Sequence, residues 1–177
     1  MKKVLGCISV FILLINAGFA QLKSEDYIRH YGHLLNTSYC LTKEKKVTIA
    51  FLGGSITHMK GWRDLVSEKL KSQYTDVAFT IINAGSPALG SLPHAFRFEN
   101  DVLNKGKIDL LFIESAVNDK VNGTPEKTQH RALEGIVRHA LKVNPYMDIV
   151  MMAFVDPDKM VDYRKGKIPT EVKVHQD

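Results

Sequence analysis

The sequence has 177 residues, of which 45% are hydrophobic and 24% are charged, and its formal net charge at pH 7 is +5. A chain of this length can bury the core of one domain, so we expect no second globular domain. The basic residues are scattered, and so mild a charge excludes a nucleic-acid-binding footprint. His30 and His33 are close in sequence, but no second pair of His or Cys residues accompanies them to complete a metal site. Neither a metal nor another cofactor is therefore expected.

Residues 1–20 have the pattern of a secretory signal peptide. Two lysines precede a short apolar run, and the small residues Gly18 and Ala20 suit cleavage at the end of that run. The run is short for a membrane span, so we expect a secreted or periplasmic protein without stable membrane insertion after cleavage. The domain is then residues 21–177, and its formal charge falls to +3 with the loss of the two lysines. Cys40 is its single cysteine, so an intramolecular disulfide is excluded.

Strand and helix patterns alternate along this domain. A short outer helix is predicted first, over residues 24–35, and β-branched apolar runs then alternate with segments in which apolar residues recur at helical spacing. Such alternation predicts a parallel sheet covered by helices on both faces. The predicted strands are residues 47–52, 77–82, 108–113 and 149–155, and the predicted helices are residues 61–74, 95–104 and 125–143. The polar residues 156–177 are predicted to contain no closing strand or helix.

Three short segments follow predicted strands, where a parallel sheet usually carries its functional residues. They are residues 53–57, 83–86 and 114–119. Ser55 can present its hydroxyl in the crevice at the strand end while its own amide faces the same space. The two glycines before it are expected to leave room for a substrate. Taken alone, however, a serine in such a loop usually caps or solvates the next helix.

Gly85 and Asn118, in the second and third segments, are candidate hydrogen-bond donors. Without a side chain, Gly85 could bring its amide close to a tetrahedral oxyanion, and the Asn118 side-chain amide could donate a further hydrogen bond. Each residue is equally at home in an ordinary turn. Asp119 is expected to cap or orient its loop, and Glu114 to have a hydrogen-bonded structural role. Arg63 is expected to be a surface residue of its helix.

In this order, the three segments resemble sequence blocks of the SGNH hydrolases, also called GDSL-like esterases and lipases. The resemblance covers most of the domain and implies a three-layer α/β/α fold with a flavodoxin-like parallel sheet. It also implies that Ser55 is the catalytic nucleophile and that the amide of Ser55, Gly85 and Asn118 form the oxyanion hole. The family commonly has Gly-Asp-Ser in the first block, whereas this chain has Gly-Gly-Ser, which resembles a subset of bacterial members. The third block has Ala116 where glycine is usual.

The resemblance does not supply a base for Ser55. Family members end with an Asp and, three residues later, a His, whereas residues 175–177 read His-Gln-Asp. A serine hydroxyl without a base is a poor nucleophile. We therefore expect the chain to be truncated at its C-terminus, without the last strand and helix of the sheet, and to be inactive by itself. Two alternatives stay open. One is that the protein is a pseudoenzyme. The other is that a different histidine is the base. His58 is nearest to Ser55 in sequence, and His94 is a candidate for lining the crevice.

The predicted function is that of a serine ester hydrolase that removes acetyl or short acyl groups from a carbohydrate or a similar ester. The reaction would proceed through an acyl-enzyme, which water then cleaves. Capture of the acyl group by a sugar hydroxyl would instead make the protein an O-acyltransferase of the same fold. A third hypothesis is a carbohydrate-binding protein that kept the crevice and lost the base. The expected partner is thus a small-molecule or carbohydrate ester.

Overall fold

A computed structural model of the chain describes residues 28–155 and 159–177. The fold belongs to the compact unit Gly32–Asp177, and residues 28–31 before it form no helix or strand. The predicted signal peptide, residues 1–20, lies outside the described residues. Among the helices in the described ranges, none is long and apolar enough to cross a membrane.

Four strands form a parallel sheet. They are β1 (Lys46–Gly53), β2 (Ala78–Gly85), β3 (Leu110–Glu114) and β4 (Asp148–Met152). Their order across the sheet is β2-β1-β3-β4, and every neighbouring pair is parallel. Each strand overlaps one of the predicted apolar runs. The parallel, flavodoxin-like sheet predicted from the sequence is therefore confirmed.

Eight helices accompany these strands in the described part of the chain. They are α1 (Leu35–Tyr39), α2 (Ser55–His58), α3 (Trp62–Gln73), α4 (Ser91–Asp101), α5 (Ala116–Val121), α6 (Glu126–Val143), α7 (Met160–Arg164) and α8 (Thr170–Val174). A π-helical turn, Cys40–Glu44, extends α1, and a 3-10 turn, Leu103–Lys105, follows α4.

The two faces of the sheet have separate apolar cores, because alternate residues of a strand point to opposite faces. On one face Ala50 and Leu52 of β1 pack with buried residues of α4, α6 and α8, such as Phe98 and Ile136. On the other face Val47, Ile49 and Phe51 pack with Cys40 and Leu41 of the π-helical turn and with side chains of α3. Helices thus cover both faces, which confirms the predicted three-layer architecture.

The helix predicted over residues 24–35 is wrong in its described part. Residues 28–34 are not helical, and α1 begins at Leu35. The apolar pattern that suggested the helix included Leu34 and Leu35, which are 44% and 71% exposed. A short helix in water depends on burying its apolar face, and these leucines leave much of theirs in solvent.

Two further helix predictions are corrected. The fourth helix begins at Ser91 rather than at residue 95, because Pro93 falls in its first turn, where the missing N–H of proline needs no intrahelical partner. The region from residue 156 onward was expected to be without helix, yet it contains α7 and α8. Pro169 caps the start of α8, and the helix buries Val172 and Val174.

Candidate active site

Ser55 begins the short helix α2, two residues after β1 ends at Gly53. Its side chain is only partly buried, whereas Gly54 before it is buried. The two glycines do not simply leave room for a substrate, as the sequence suggested. A Cβ at Gly53 would overlap the Thr57 side chain, and one at Gly54 would overlap the amide nitrogen of Asn118. The protein itself fills the space beside both glycines.

Gly85 ends β2, directly opposite Gly53 in the register of the two strands. A Cβ at Gly85 would collide with the backbone of Thr57 and His58, so β2 packs closely against α2. The N–H of Gly85 donates to Asn83 Oδ1 at 3.0 Å, and the Gly85 carbonyl accepts from His58 Nδ1 at 3.0 Å. Both polar groups of this glycine are therefore engaged by side chains in the structure.

Asn118 lies in α5, the helix that follows β3 on the other side of β1. Its side-chain nitrogen donates to the carbonyl of Leu89 at 2.9 Å and lies against the α-carbon of Gly54. A primary amide has two N–H donors, so this hydrogen bond uses one of them. The structure thus brings the third predicted segment next to the residue that precedes Ser55.

Glu114, the last residue of β3, lies beneath the Ser55 turn and is 1% exposed. Its Oε2 accepts hydrogen bonds from Gly54 N–H and from Thr57 Oγ1, each at 3.1 Å. Burial raises the pKa of this carboxyl, and the two donated hydrogen bonds act against that rise. The structural role predicted for Glu114 agrees with these contacts, which lie on both sides of Ser55.

Asp119 ties the third segment to the start of α4. It is fully buried, and its Oδ1 accepts hydrogen bonds from the N–H of Ser91 at 2.9 Å and from the Ser91 hydroxyl at 3.0 Å. A Cβ at Gly90 would overlap the same carboxylate oxygen. Burial raises the pKa of Asp119, while the hydrogen bonds from Ser91 lower it. The expectation that Asp119 caps and orients its loop agrees with this geometry.

The three histidines near the site all make contacts away from the Ser55 hydroxyl. His58 is exposed and bonds the carbonyl of Gly85. His94 is fully buried, and Arg97 donates to its Nδ1 at 3.2 Å. Burial, reinforced by the Arg97 charge, lowers the pKa of His94 to about 4. His94 is therefore part of the core under α4 rather than a residue that lines the crevice.

His175 pairs with a different serine. Its Nε2 lies 3.1 Å from the hydroxyl of Ser115, and its Nδ1 lies 2.7 Å from the carbonyl of Glu171. A carbonyl only accepts, so Nδ1 carries a proton, and burial lowers the pKa of His175, which favours the neutral ring. Nε2 then accepts from Ser115. No sequence pattern pointed to this pair, because its members are 60 residues apart.

Arg63 supports the far end of the Ser55 turn and is not the surface residue expected from the sequence. Its side chain is 12% exposed and forms an ion pair with Asp64 at 3.0 Å. Its Nε donates to the carbonyl of Thr57 at 3.2 Å. The preceding residue, Trp62, packs its ring against Phe51 with 5.3 Å between ring centroids, which anchors α3 beside α2. Across the described residues, no three His, Cys, Asp or Glu side chains are grouped to hold a metal ion.

A known protein with a stated activity has a similar structure. No protein-family model matches the chain, and no curated protein matches it. Among solved structures, a two-domain esterase active on acetylated mannans is 29% identical in sequence, with a TM-score of 0.59. The similarity covers 68% of this chain and 34% of that esterase, so the chain spans about a third of that protein's length.

Two further solved structures share the fold at lower identity. An acetyl xylan esterase from Geobacillus stearothermophilus is 16% identical, with a TM-score of 0.53, and 73% of this chain and 70% of that chain are covered. A protein described as a GDSL-like lipase from Parabacteroides merdae is 18% identical, with a TM-score of 0.56, and 73% of each chain is covered. The chain is thus similar to the SGNH, or GDSL-like, hydrolases and shares their fold.

Two of the chain's departures from the sequence pattern of the SGNH hydrolases have a structural account. Gly54 replaces the usual aspartate, and the Asn118 side chain occupies the place of any Cβ at that position. An aspartate at position 54 would therefore displace Asn118. Ala116, which replaces the usual glycine, is fully buried at the start of α5, so its methyl group is accommodated inside the domain.

Proposed function

We propose that this protein is an SGNH hydrolase that cleaves esters, with Ser55 as the nucleophile and with the Ser55 amide, Gly85 and Asn118 as the oxyanion hole. The observation that carries the proposal is the convergence of three separate segments on one turn. Gly85 packs against the backbone of α2, and the Asn118 side-chain nitrogen lies against Gly54, the residue before Ser55. Parallel strands bring their carboxyl ends to one edge of the sheet, where such sites form.

In the proposed reaction, Ser55 Oγ attacks the ester carbonyl carbon and its proton passes to a base. The carbonyl oxygen becomes an oxyanion, held by hydrogen bonds that are each worth roughly 3 to 4 kcal/mol of barrier. Collapse of the tetrahedral intermediate expels the alcohol, which takes a proton, and leaves Ser55 acylated. Water then cleaves the acyl-enzyme by the same steps. The rings of His58, His94 and His175 are bonded elsewhere, and we assign the base to none of them.

Two of the proposed donors are already engaged in the structure, and this affects how an oxyanion would bind. The Gly85 N–H is bonded to the neutral amide oxygen of Asn83. Hydrogen bonds to an ionised acceptor are about twice as strong as those to a neutral one, so an oxyanion would displace Asn83 from Gly85. Asn118 keeps a second N–H beyond the one bonded to Leu89. It can therefore bind the oxyanion while it stays anchored.

The proposed substrate is an acetyl or other short acyl ester of a carbohydrate. Support comes from the similarity to an esterase that is active on acetylated mannans, at 29% identity. The fold shared with an acetyl xylan esterase is consistent with this substrate class. The leader pattern of residues 1–20 would export the protein to where polysaccharides are met. We therefore propose a secreted or periplasmic carbohydrate esterase.

Acetate release from acetylated mannan by the complete encoded protein tests this proposal. Ser55→Ala should lower kcat by at least about 1000-fold, because no other group replaces the nucleophile. Ser72→Ala, on the exposed side of α3, should keep the rate within about threefold and serves as the matched control. Undiminished acetate release by the Ser55 variant would refute the nucleophile. A wild-type protein that releases acetate from neither a mannan nor an aryl acetate would refute the hydrolase.

A further inference from the structure

Glu114 contacts both flanks of the residue to which we assign the chemistry. Its Oε2 accepts from the N–H of Gly54, one residue before Ser55, and from the hydroxyl of Thr57, two residues after it. All three groups are buried, with Glu114 at 1% and Thr57 at 0% exposure. One carboxylate oxygen therefore fixes the turn on both sides of the serine.

The groups around the Glu114–Thr57 hydrogen bond are closely packed. A Cβ at Gly53 would overlap Thr57 Oγ1 and would lie 3.0 Å from Glu114 Oε2. The opposite side of Thr57 is held as well, since Arg63 Nε donates to its carbonyl at 3.2 Å. The Ser55 turn thus lies between the carboxylate of Glu114 and the guanidinium of Arg63, and it has little freedom to shift.

We propose that Glu114 is a positioning residue, which aims the hydroxyl and the amide of Ser55 at the substrate carbonyl by holding Gly54 and Thr57. The proposal rests on the role assigned to Ser55 above. The hydrogen bonds that the Glu114 carboxylate accepts come from the two flanking residues, so Glu114 acts through them and does not touch the reacting atoms. A catalytic group must be held within about 0.5 Å of its productive position, and a misplacement of about 1 Å can cost 100-fold in rate.

This role predicts a particular pattern in the kinetics. Loosening the Ser55 turn should lower kcat, while KM changes little, because the residues that would contact the rest of the substrate are untouched. A residue that only stabilises the fold would instead lower the number of folded molecules and the melting temperature, and leave kcat per active site unchanged. Counting the active sites separates these two roles.

The test compares matched variants at both ends of the Glu114–Thr57 hydrogen bond in the complete encoded protein. Thr57→Val removes the hydroxyl, and Thr57→Ser keeps it. Glu114→Ala removes the acceptor, and Glu114→Gln keeps an oxygen that can accept both bonds. For each variant, kcat and KM for an aryl acetate are measured per active site, counted by labelling with a fluorophosphonate, and the labelling rate is recorded as a second readout.

We expect Thr57→Val and Glu114→Ala to lower kcat about 10- to 100-fold with KM within about threefold. The kcat of Thr57→Ser and of Glu114→Gln should stay within about fivefold of wild type. A double variant with Thr57→Val and Glu114→Ala should have a kcat no lower than that of Glu114→Ala alone, because the Glu114–Thr57 hydrogen bond is already lost in the single variant. If Glu114→Ala does not fold, the two Thr57 variants decide. Equal kcat per labelled site in Thr57→Val and Thr57→Ser would overturn the proposal.

Failure of the esterase proposal would look different. A wild-type protein that hydrolyses no ester but still reacts with the fluorophosphonate at Ser55 would refute the function assigned above. The positioning role would then be decided by the labelling rate alone. Slower labelling of Thr57→Val than of Thr57→Ser supports the role, and equal labelling rates overturn it.

Discussion

Two serines follow neighbouring parallel strands at the same edge of the sheet, Ser55 after β1 and Ser115 after β3. Ser115 is fully buried, and its hydroxyl is 3.1 Å from the imidazole Nε2 of His175. Ser55 is only partly buried and begins α2, with Gly85 and Asn118 packed against its turn. The region around Ser115 therefore contains the serine–histidine hydrogen bond. The region around Ser55 contains the serine that a substrate can reach and the candidate oxyanion donors.

This difference shows that a serine–histidine hydrogen bond is by itself a poor sign of a nucleophile. An ester must reach the serine, and donors must face the oxygen that becomes charged. Ser115 is inaccessible, and its partner His175, which directly follows α8, is anchored to the carbonyl of Glu171 in the first turn of that helix. The contact fastens the C-terminal end of α8 to Ser115, which lies directly before α5, the helix that carries Asn118. We expect this contact to be structural, so that its removal affects stability more than turnover.

The region around Ser55 should lose turnover when one of its proposed oxyanion donors is removed. Asn118→Ala should lower kcat about 100- to 1000-fold, because it deletes one proposed oxyanion hydrogen bond. Asn122→Ala is the matched control, since Asn122 also anchors a loop carbonyl, that of Ala88 at 3.0 Å, but has no proposed role in the chemistry. Ester hydrolysis measured for the two variants side by side decides. An equal loss of kcat in both would mean that Asn118 only anchors the loop at Leu89.

The Ser115 region should respond in the opposite way. Ser115→Ala leaves His175 Nε2 buried without its partner, which should cost about 1 to 3 kcal/mol in the free energy of unfolding. Urea denaturation measures that cost, with Ser72→Ala on the exposed surface of α3 expected to change stability by less than about 0.5 kcal/mol. Turnover of the folded Ser115 variant should stay within about fivefold of wild type, whereas a loss of 100-fold or more would assign Ser115 to the chemistry.

The region around Ser115 should also have a characteristic pH dependence of stability, because the buried imidazole of His94 interacts with the backbone of Glu114, the residue before Ser115. Burial and the Arg97 charge lower the pKa of His94 from 6.5 to about 4 in the folded protein. The unfolded chain therefore binds a proton first as the pH falls. Stability from this group is complete above pH 6.5 and is lost as the pH falls towards 4, by about 3 kcal/mol in total.

The measurement is the unfolding free energy of wild type and of His94→Gln at pH 7 and near pH 4. Glu114 and Asp119 have raised pKa values, so these carboxyls disfavour the folded state as the pH rises and act in the opposite direction to His94. Both proteins contain Glu114 and Asp119. The difference between the two proteins in how much the unfolding free energy changes from pH 7 to pH 4 therefore isolates the contribution of His94. Equal pH dependence in the two proteins would contradict the buried, neutral imidazole.

The strands and the three segments that follow them could be predicted from the sequence because their signals are local. Residues 47–52 form an uninterrupted apolar run, which a strand buried on both faces requires, and β1 is indeed buried from Val47 to Gly53. The segments that follow the strands were placed by the general rule for parallel sheets. The structure brings Ser55, Gly85 and Asn118 together as that rule predicts.

The supporting contacts could not be predicted, because they join residues that are far apart in sequence or depend on exact geometry. Glu114 is 60 residues from Gly54, and no pattern marks an apolar strand's last residue as the partner of a distant turn. The glycines before Ser55 were assigned to substrate access, whereas their lack of side chains admits Thr57 and Asn118. Arg63 was expected on the helix surface, whereas its side chain is 12% exposed and donates to the carbonyl of Thr57.

The central claim is that Ser55, and not Ser115, is the nucleophile. Its most direct test is to treat the complete encoded protein with a fluorophosphonate and to locate the adduct by peptide mass spectrometry. We predict a single adduct on the peptide that contains Ser55, unchanged in Ser115→Ala and absent from Ser55→Ala. An adduct on Ser115, or labelling that persists at the wild-type rate in Ser55→Ala, would contradict the account.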